Sequence, residues 1–263
     1  MKRHLSVLML ASRTIWRVLA ILLLTAAVQT ALFAAVPEEI EERYEYPGQS
    51  GMEVSVVSYV PSLEETFERA HTGLVAGIGF VLLCFILCVK TSAFGSRARY
   101  TVARLQVREE ALNLWWMLYH TACMALFWMS QICVVYLLCR IYVGRTDPSY
   151  ITGQTVALAC YRHTYLHNLI PGVDVGLWVR NAALLPMMGA AIARFAMVQR
   201  RRGGICFVTL AAVALTVLQF CLPLNSDFAY AGILLILVLL GVLLAGLLTV
   251  YRADETEWQE VRT

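Results

Sequence analysis

Three residues in the segment 150–169 carry ligand chemistry at helical spacing: Cys160, His163 and His167 stand at i, i+3 and i+7. On one continuous helix this puts a thiolate and two imidazoles on a single face, a donor set suited to Zn²⁺ or copper. The opposite arc carries Leu158, Tyr161, Tyr165 and Leu169, as a helix lying at a membrane surface would. No fourth ligand is identifiable. The simpler expectation is therefore that both histidines line the wet edge of that helix, with no resident cofactor, and metal binding on the outer face stands as an alternative.

A second group sits within long apolar stretches: His120 and Gln131, then Arg180 and Asn181, with Gln219 further on. An ionisable residue at membrane depth is a functional-site hypothesis by default. Arg180 falls about one turn from the end of its stretch, so its side chain is expected to snorkel to the headgroups. His120 and Gln131 read as hydrogen bonders between helices, since no string of acids and bases accompanies them as in proton-coupled transporters.

Catalytic signatures are absent. The sequence has no GxxxxGK[ST] phosphate loop, no HExxH helix and no GxSxG elbow, so neither an enzyme nor an ATPase is expected in this chain. EExxxR occurs twice, at Glu38-Glu39…Arg43 and Glu64-Glu65…Arg69, the second followed by Phe67xxxHis71. This resembles the first motif of CAAX-type intramembrane proteases, but both copies fall in an acidic loop rather than within a span. The HxxxN/D motif of that family is found at none of His71, His120, His163 or His167.

The elements that must position these residues follow from composition. Of 263 residues, 59% are apolar and 15% charged, against roughly 45–50% and about 25% in soluble domains. The excess is concentrated in long runs, which predict an all-α polytopic membrane protein with six spans, at about 18–36, 70–89, 111–139, 175–198, 204–222 and 228–251. Lys and Arg number four in 1–17, five in 90–110, four in 194–203 and two in 252–263, against six at 43, 69, 140, 145, 162 and 180. The richer side is the cytoplasmic one, so both termini are expected in the cytoplasm and the chain in the plasma membrane. The first run is read as a span rather than a cleaved signal peptide because it exceeds the usual 7–15-residue signal core.

The connecting segments have their own patterns. Residues 2–17 read as a basic interfacial helix, with Leu5, Leu8, Met9, Ile15 and Trp16 on one arc. In the outer loop 37–69, Val54 to Val60 reads as a single strand, and Ser62 with Glu65 as a capping box opening a helix near 63 that runs on into the membrane. Residues 92–110 form a cytoplasmic helical loop and 144–172 an outer interfacial segment. Pro186 predicts a kink in the fourth span, and 223–227 a tight connection between the last two. Seven of eight cysteines lie in or beside apolar runs and imply no disulfide.

The order of basic N-terminal helix, span, outer loop, span, basic cytoplasmic loop and four further spans resembles an ABC-2-type ABC transporter permease. The segment from Arg99 to Leu105 also resembles uncharacterised bacterial membrane proteins, Firmicutes-like, found beside ABC systems. The resemblance implies a coupling helix at 97–110, with Arg97, Tyr100, Arg104 and Arg108 docking a separate ATPase subunit. It also implies a homo- or heterodimer around an exported substrate, with the bilayer and no nucleic acid as further partner. The five-residue connection at 223–227 is shorter than the re-entrant element of that family. The alternative is a non-transporting scaffold or sensor acting through its outer loop.

Overall fold

The computed structural model describes residues 9, 12–48, 51–91, 109–201, 206–221 and 226–248. The chain is mostly helical. Its elements are α1 (Ile15–Ala34), β1 (Ile40–Gly48), β2 (Gly51–Tyr59), α2 (Leu63–Arg69), α3 (Thr72–Thr91), α4 (Glu109–Arg145), α5 (Thr155–Arg162), α6 (Thr164–Leu169), α7 (Val175–Arg201), α8 (Phe207–Cys221) and α9 (Ser226–Leu248). Arg97, Tyr100, Arg104 and Arg108, the remainder of the loop 92–108, residues 222–225 and most of the 2–11 segment lie outside the described residues.

Five helices, α1, α3, α4, α7 and α9, are long and apolar enough to cross a membrane, which makes this a multi-pass membrane protein. Their outward faces carry the expected apolar side chains: Leu234 and Val238 of α9 are 65% and 56% exposed, surface that only lipid leaves without cost. In the run expected to form a span at 204–222, the described residues form the 15-residue α8, about 22 Å long. Conversely, α4 is 37 residues, about 55 Å, so it projects beyond the hydrocarbon.

Contacts at both ends fix the relative directions of the helices. Thr14 and Tyr119 hydroxyls are hydrogen-bonded at 2.6 Å, placing the start of α1 against the first third of α4. At the other end, Arg145 donates from Nε to Glu38 Oε1 at 2.9 Å and from Nη1 to the Ala34 carbonyl at 3.1 Å. Thus α1 and α4 run parallel, and the end of each lies beside the β-hairpin. The packing centre is α7, where Met187, Met188, Ala190, Ala191 and Ile192 are all buried. Its small side chains let α4 approach until the Met117 carbonyl would stand 2.7 Å from a Cβ at Gly189. The helix is continuous through Pro186.

Four expectations are corrected. In the acidic outer loop the chain forms a two-stranded antiparallel hairpin, registered from Ile40↔Tyr59 to Gly48↔Gly51, where a single strand was expected. The Ser62 cap forms, its hydroxyl accepting the Glu65 N–H at 3.3 Å, but the helix it opens stops at Arg69. His71 adopts φ 49°, a left-handed turn that re-aims the chain before α3 begins at Thr72. Ser12 is followed by a turn at Arg13 and Thr14, so α1 begins at Ile15 rather than continuing an interfacial helix through 17. Residues 155–169 form two short helices instead of one.

Candidate functional site

Arg180 was expected at the headgroups; it points instead into the bundle and is 0% exposed. Its five hydrogen bonds go to neutral oxygens. Nη1 donates to Asn168 Oδ1 at 3.1 Å and to the Gln219 carbonyl at 3.3 Å, and Nη2 to the Asn168 carbonyl at 3.2 Å. Asn181 Oδ1 accepts from Nη2 at 2.9 Å and from Nε at 3.2 Å. The guanidinium also lies 5.6 Å from the Phe220 ring centroid. Asn168 lies in the last turn of the short α6 and Gln219 in the last turn of α8, so both carbonyls belong to helix C-termini that lack intrahelical donors. The partial negative charge of two helix ends replaces a counterion. Arg180 and Asn181 are thereby a structural clamp joining α6, α7 and α8.

Gln131 belongs to a second buried group, whose hydrogen bonds set its orientation. The Thr72 carbonyl can only accept, so the Gln29 amide nitrogen faces it, at 3.1 Å. That nitrogen also donates to Gln131 at 3.0 Å, which requires the Gln131 oxygen on that side. Tyr165 donates to the same oxygen at 3.1 Å. The Gln131 amide nitrogen is thus turned away, buried, and without a hydrogen-bond partner among the described residues. One turn earlier the indole N–H of Trp128 is in the same condition.

Both residues line a cleft of about 820 Å³ walled by α3, α4, α7 and α8. Its inner wall is apolar, with Phe80, Met124, Leu184 and Met188. Gln131, Tyr165 and Asn181 supply polar atoms, and Glu68, Arg162 and His163 stand at the rim. Burial raises the Tyr165 hydroxyl above its ordinary range, so it stays a proton donor. The cleft opens sideways past Leu74, Ile78, Val81 and Leu82, all exposed on α3.

The candidate metal trio does not assemble. The helix breaks at His163, which ends α5 and caps α6 by accepting the Leu166 N–H on Nδ1 at 3.4 Å. That bond occupies one ring nitrogen, while the His167 ring packs edge-on against Tyr161 at 5.5 Å. Burial also raises the Cys160 thiol, away from the thiolate a metal needs. Among the described residues no group of three His, Cys, Asp or Glu side chains could hold a metal ion.

His120 is buried in an aromatic cage, stacked on Trp116 at 5.6 Å and edge-on to Tyr119 at 5.6 Å. It lies one turn of α4 before Met124, toward the end opposite the hairpin, and is not among the residues that line the cleft. Sequence reasoning missed Gln29, Trp128, Tyr165 and Asn168. For Gln29 a signal existed, since it is the one amide in an otherwise apolar run. No family model, curated protein or solved structure matches the chain.

Proposed function

We propose that the chain is the membrane-spanning subunit of an ABC-type exporter in the plasma membrane, working with a separate ATPase subunit and without catalysis of its own. In this reading α8 counts as the sixth span and both termini are cytoplasmic. One observation carries it. The end of the bundle opposite the hairpin carries basic side chains among the described residues: Arg13 and Arg17 flank the start of α1, Lys90 lies in the last turn of α3 and Arg194 near the end of α7; in sequence, the segment between α3 and α4 adds Arg97, Arg104 and Arg108. Such a face suits the cytoplasm and an acidic docking partner.

The test is co-purification of the full chain with its ATPase subunit from membranes. Replacing Arg104 and Arg108 with Glu is expected to abolish the association while leaving the protein in the membrane. A chain that purifies alone, with no ATPase encoded beside it, rejects the exporter reading. The scaffold or sensor reading is favoured by a different observation: the hairpin is tied to the bundle through Arg145–Glu38 and through Tyr59, Glu42, Glu65 and Arg69. It predicts that partner capture survives the Arg104 and Arg108 exchange and is lost with residues 40–59.

A further inference from the structure

We propose that the cleft between α3, α4, α7 and α8 is a lateral binding site for a diacyl phospholipid of the leaflet on the hairpin side, with an ester carbonyl seated on the Gln131 amide and Trp128 indole N–H groups. The site does not depend on the exporter reading.

Three observations lead there. Gln131 lines the cleft and is 1% exposed, and its amide nitrogen, buried and turned from the Gln29–Tyr165 side, has no partner among the described residues. Trp128 lies three residues earlier on α4, hence on the same face; it lines the same cleft, and its indole N–H is a second buried donor without a partner among the described residues. Buried donors of this kind are ordinarily satisfied, and two together call for an acceptor that enters the cleft.

The remaining wall specifies what carries that acceptor. From Gly73 to Leu82 the cleft follows α3 for about 14 Å, which is one leaflet of a hydrocarbon core of about 30 Å. It is apolar toward the membrane interior, beside Phe80 and Met188, and open to lipid through Leu74, Ile78 and Leu82. At its hairpin end the rim carries Arg162, whose Nη1 stands 3.7 Å from Glu64 Oε1 on the exposed side, and Glu68, an arginine for a phosphate and a carboxylate for an ammonium. An acyl chain below, a carbonyl at Gln131 and a zwitterionic head at the rim fit this order.

The experiment is native mass spectrometry of the detergent-purified full chain with phosphatidylethanolamine and with its ether-linked analogue, which keeps head and chains but has no carbonyl. Wild type is expected to retain the ester lipid about three- to tenfold better than the ether. Gln131→Leu and Trp128→Phe should each reduce that preference, and the double variant should erase it. Gly77 lines the cleft, and a Cβ there meets nothing within 4 Å, so Gly77→Leu starts its side chain in open space along the cleft and should remove lipid retention altogether. Unchanged thermal unfolding of each variant separates lost binding from lost folding. Equal retention of ester and ether by wild type overturns the proposal, as does full retention in Gly77→Leu. So does a spectrum in which a second copy of the chain, displaced by Gly77→Leu, occupies the cleft. A lipid result of either sign leaves ATPase co-purification unaffected.

Discussion

Arg180 grips both acceptors of Asn168, the side-chain oxygen at 3.1 Å and the main-chain carbonyl at 3.2 Å, across a helix boundary twelve residues long. Asn181 donates to that same carbonyl at 2.8 Å. The pair closes the end of α6, and through the Gln219 carbonyl it closes α8 as well. A planar fork is needed because the acceptors lie in several directions around one buried point. Arg180→Met is therefore expected to cost about 2–4 kcal/mol, since it leaves buried carbonyls without donors. Arg180→Lys keeps the charge but cannot span the acceptors, and should still lose at least about 1 kcal/mol. Thermal or denaturant unfolding in detergent measures both, and a lysine variant as stable as wild type would show that charge alone is required.

The contact between α4 and α7 sets a second expectation. A methyl group at Gly189 would meet the Met117 carbonyl at 2.7 Å and the Thr121 amide nitrogen at 2.9 Å. These are backbone atoms, which cannot rotate aside. Gly189→Ala should destabilise by about 1–3 kcal/mol, in spite of the higher helix propensity of alanine. Gly77→Ala is the control: with open space at its Cβ, it should be neutral or up to about 1 kcal/mol more stable. Equal unfolding midpoints for the two variants would contradict the close approach.

What could be read in advance follows from where the information lies. The long apolar helices were legible because each is a continuous run whose composition alone excludes water, as with Ala111–Arg145 and Thr72–Lys90. The bond from Gln29 to Gln131 joins residues 102 positions apart, and no local periodicity states which helix faces meet. β1 was hidden because Glu41, Glu42, Arg43 and Glu45 read as an acidic loop, while strand formation was decided by pairing with β2. The break at His163 was illegible for another reason. Residues 155–169 contain no Gly or Pro, and the helix is interrupted by the His163 imidazole competing for a backbone N–H.

That imidazole gives a pH dependence. Burial lowers the His163 pKa from 6.5, more than Glu68 and Glu64 raise it, and only the neutral ring can accept the Leu166 N–H. Below pH 6.5 the unfolded chain binds the proton more readily than the folded one. The contribution of His163 is thus fully present above that pH and is lost as the pH falls through the lowered folded value. Protonation would also put a positive charge at the start of α6. His163→Asn caps the helix without titrating. The unfolding midpoint of wild type should fall more steeply than that of the variant between pH 6.5 and 4.5, on the order of a few degrees. Parallel curves would remove His163 as the source.

At the base of the hairpin, the Tyr59 hydroxyl is 2.7 Å from Glu65 Oε1 and 3.0 Å from Glu42 Oε1, and accepts from Arg69 Nη2 at 3.2 Å. It joins Glu42 of the first strand to Glu65 and Arg69 of α2. The hydrogen bond to Glu65, then burial and the bond to Glu42, push its pKa up to about 12, because a phenolate would face two carboxylates. The folded state therefore holds this proton where the unfolded chain releases it. The stabilisation is complete below pH 10 and is lost as the pH rises through about 12. Tyr59→Phe removes the hydroxyl and keeps the ring. Amide hydrogen exchange at residues 55–59 is expected to quicken on the order of two- to fivefold at pH 8 in the variant. Arg69, still paired with Glu65 at 2.8 Å, should hold α2 itself unchanged. Identical exchange in the two proteins at pH 8 would mean that the strands hold the hairpin in place without this contact.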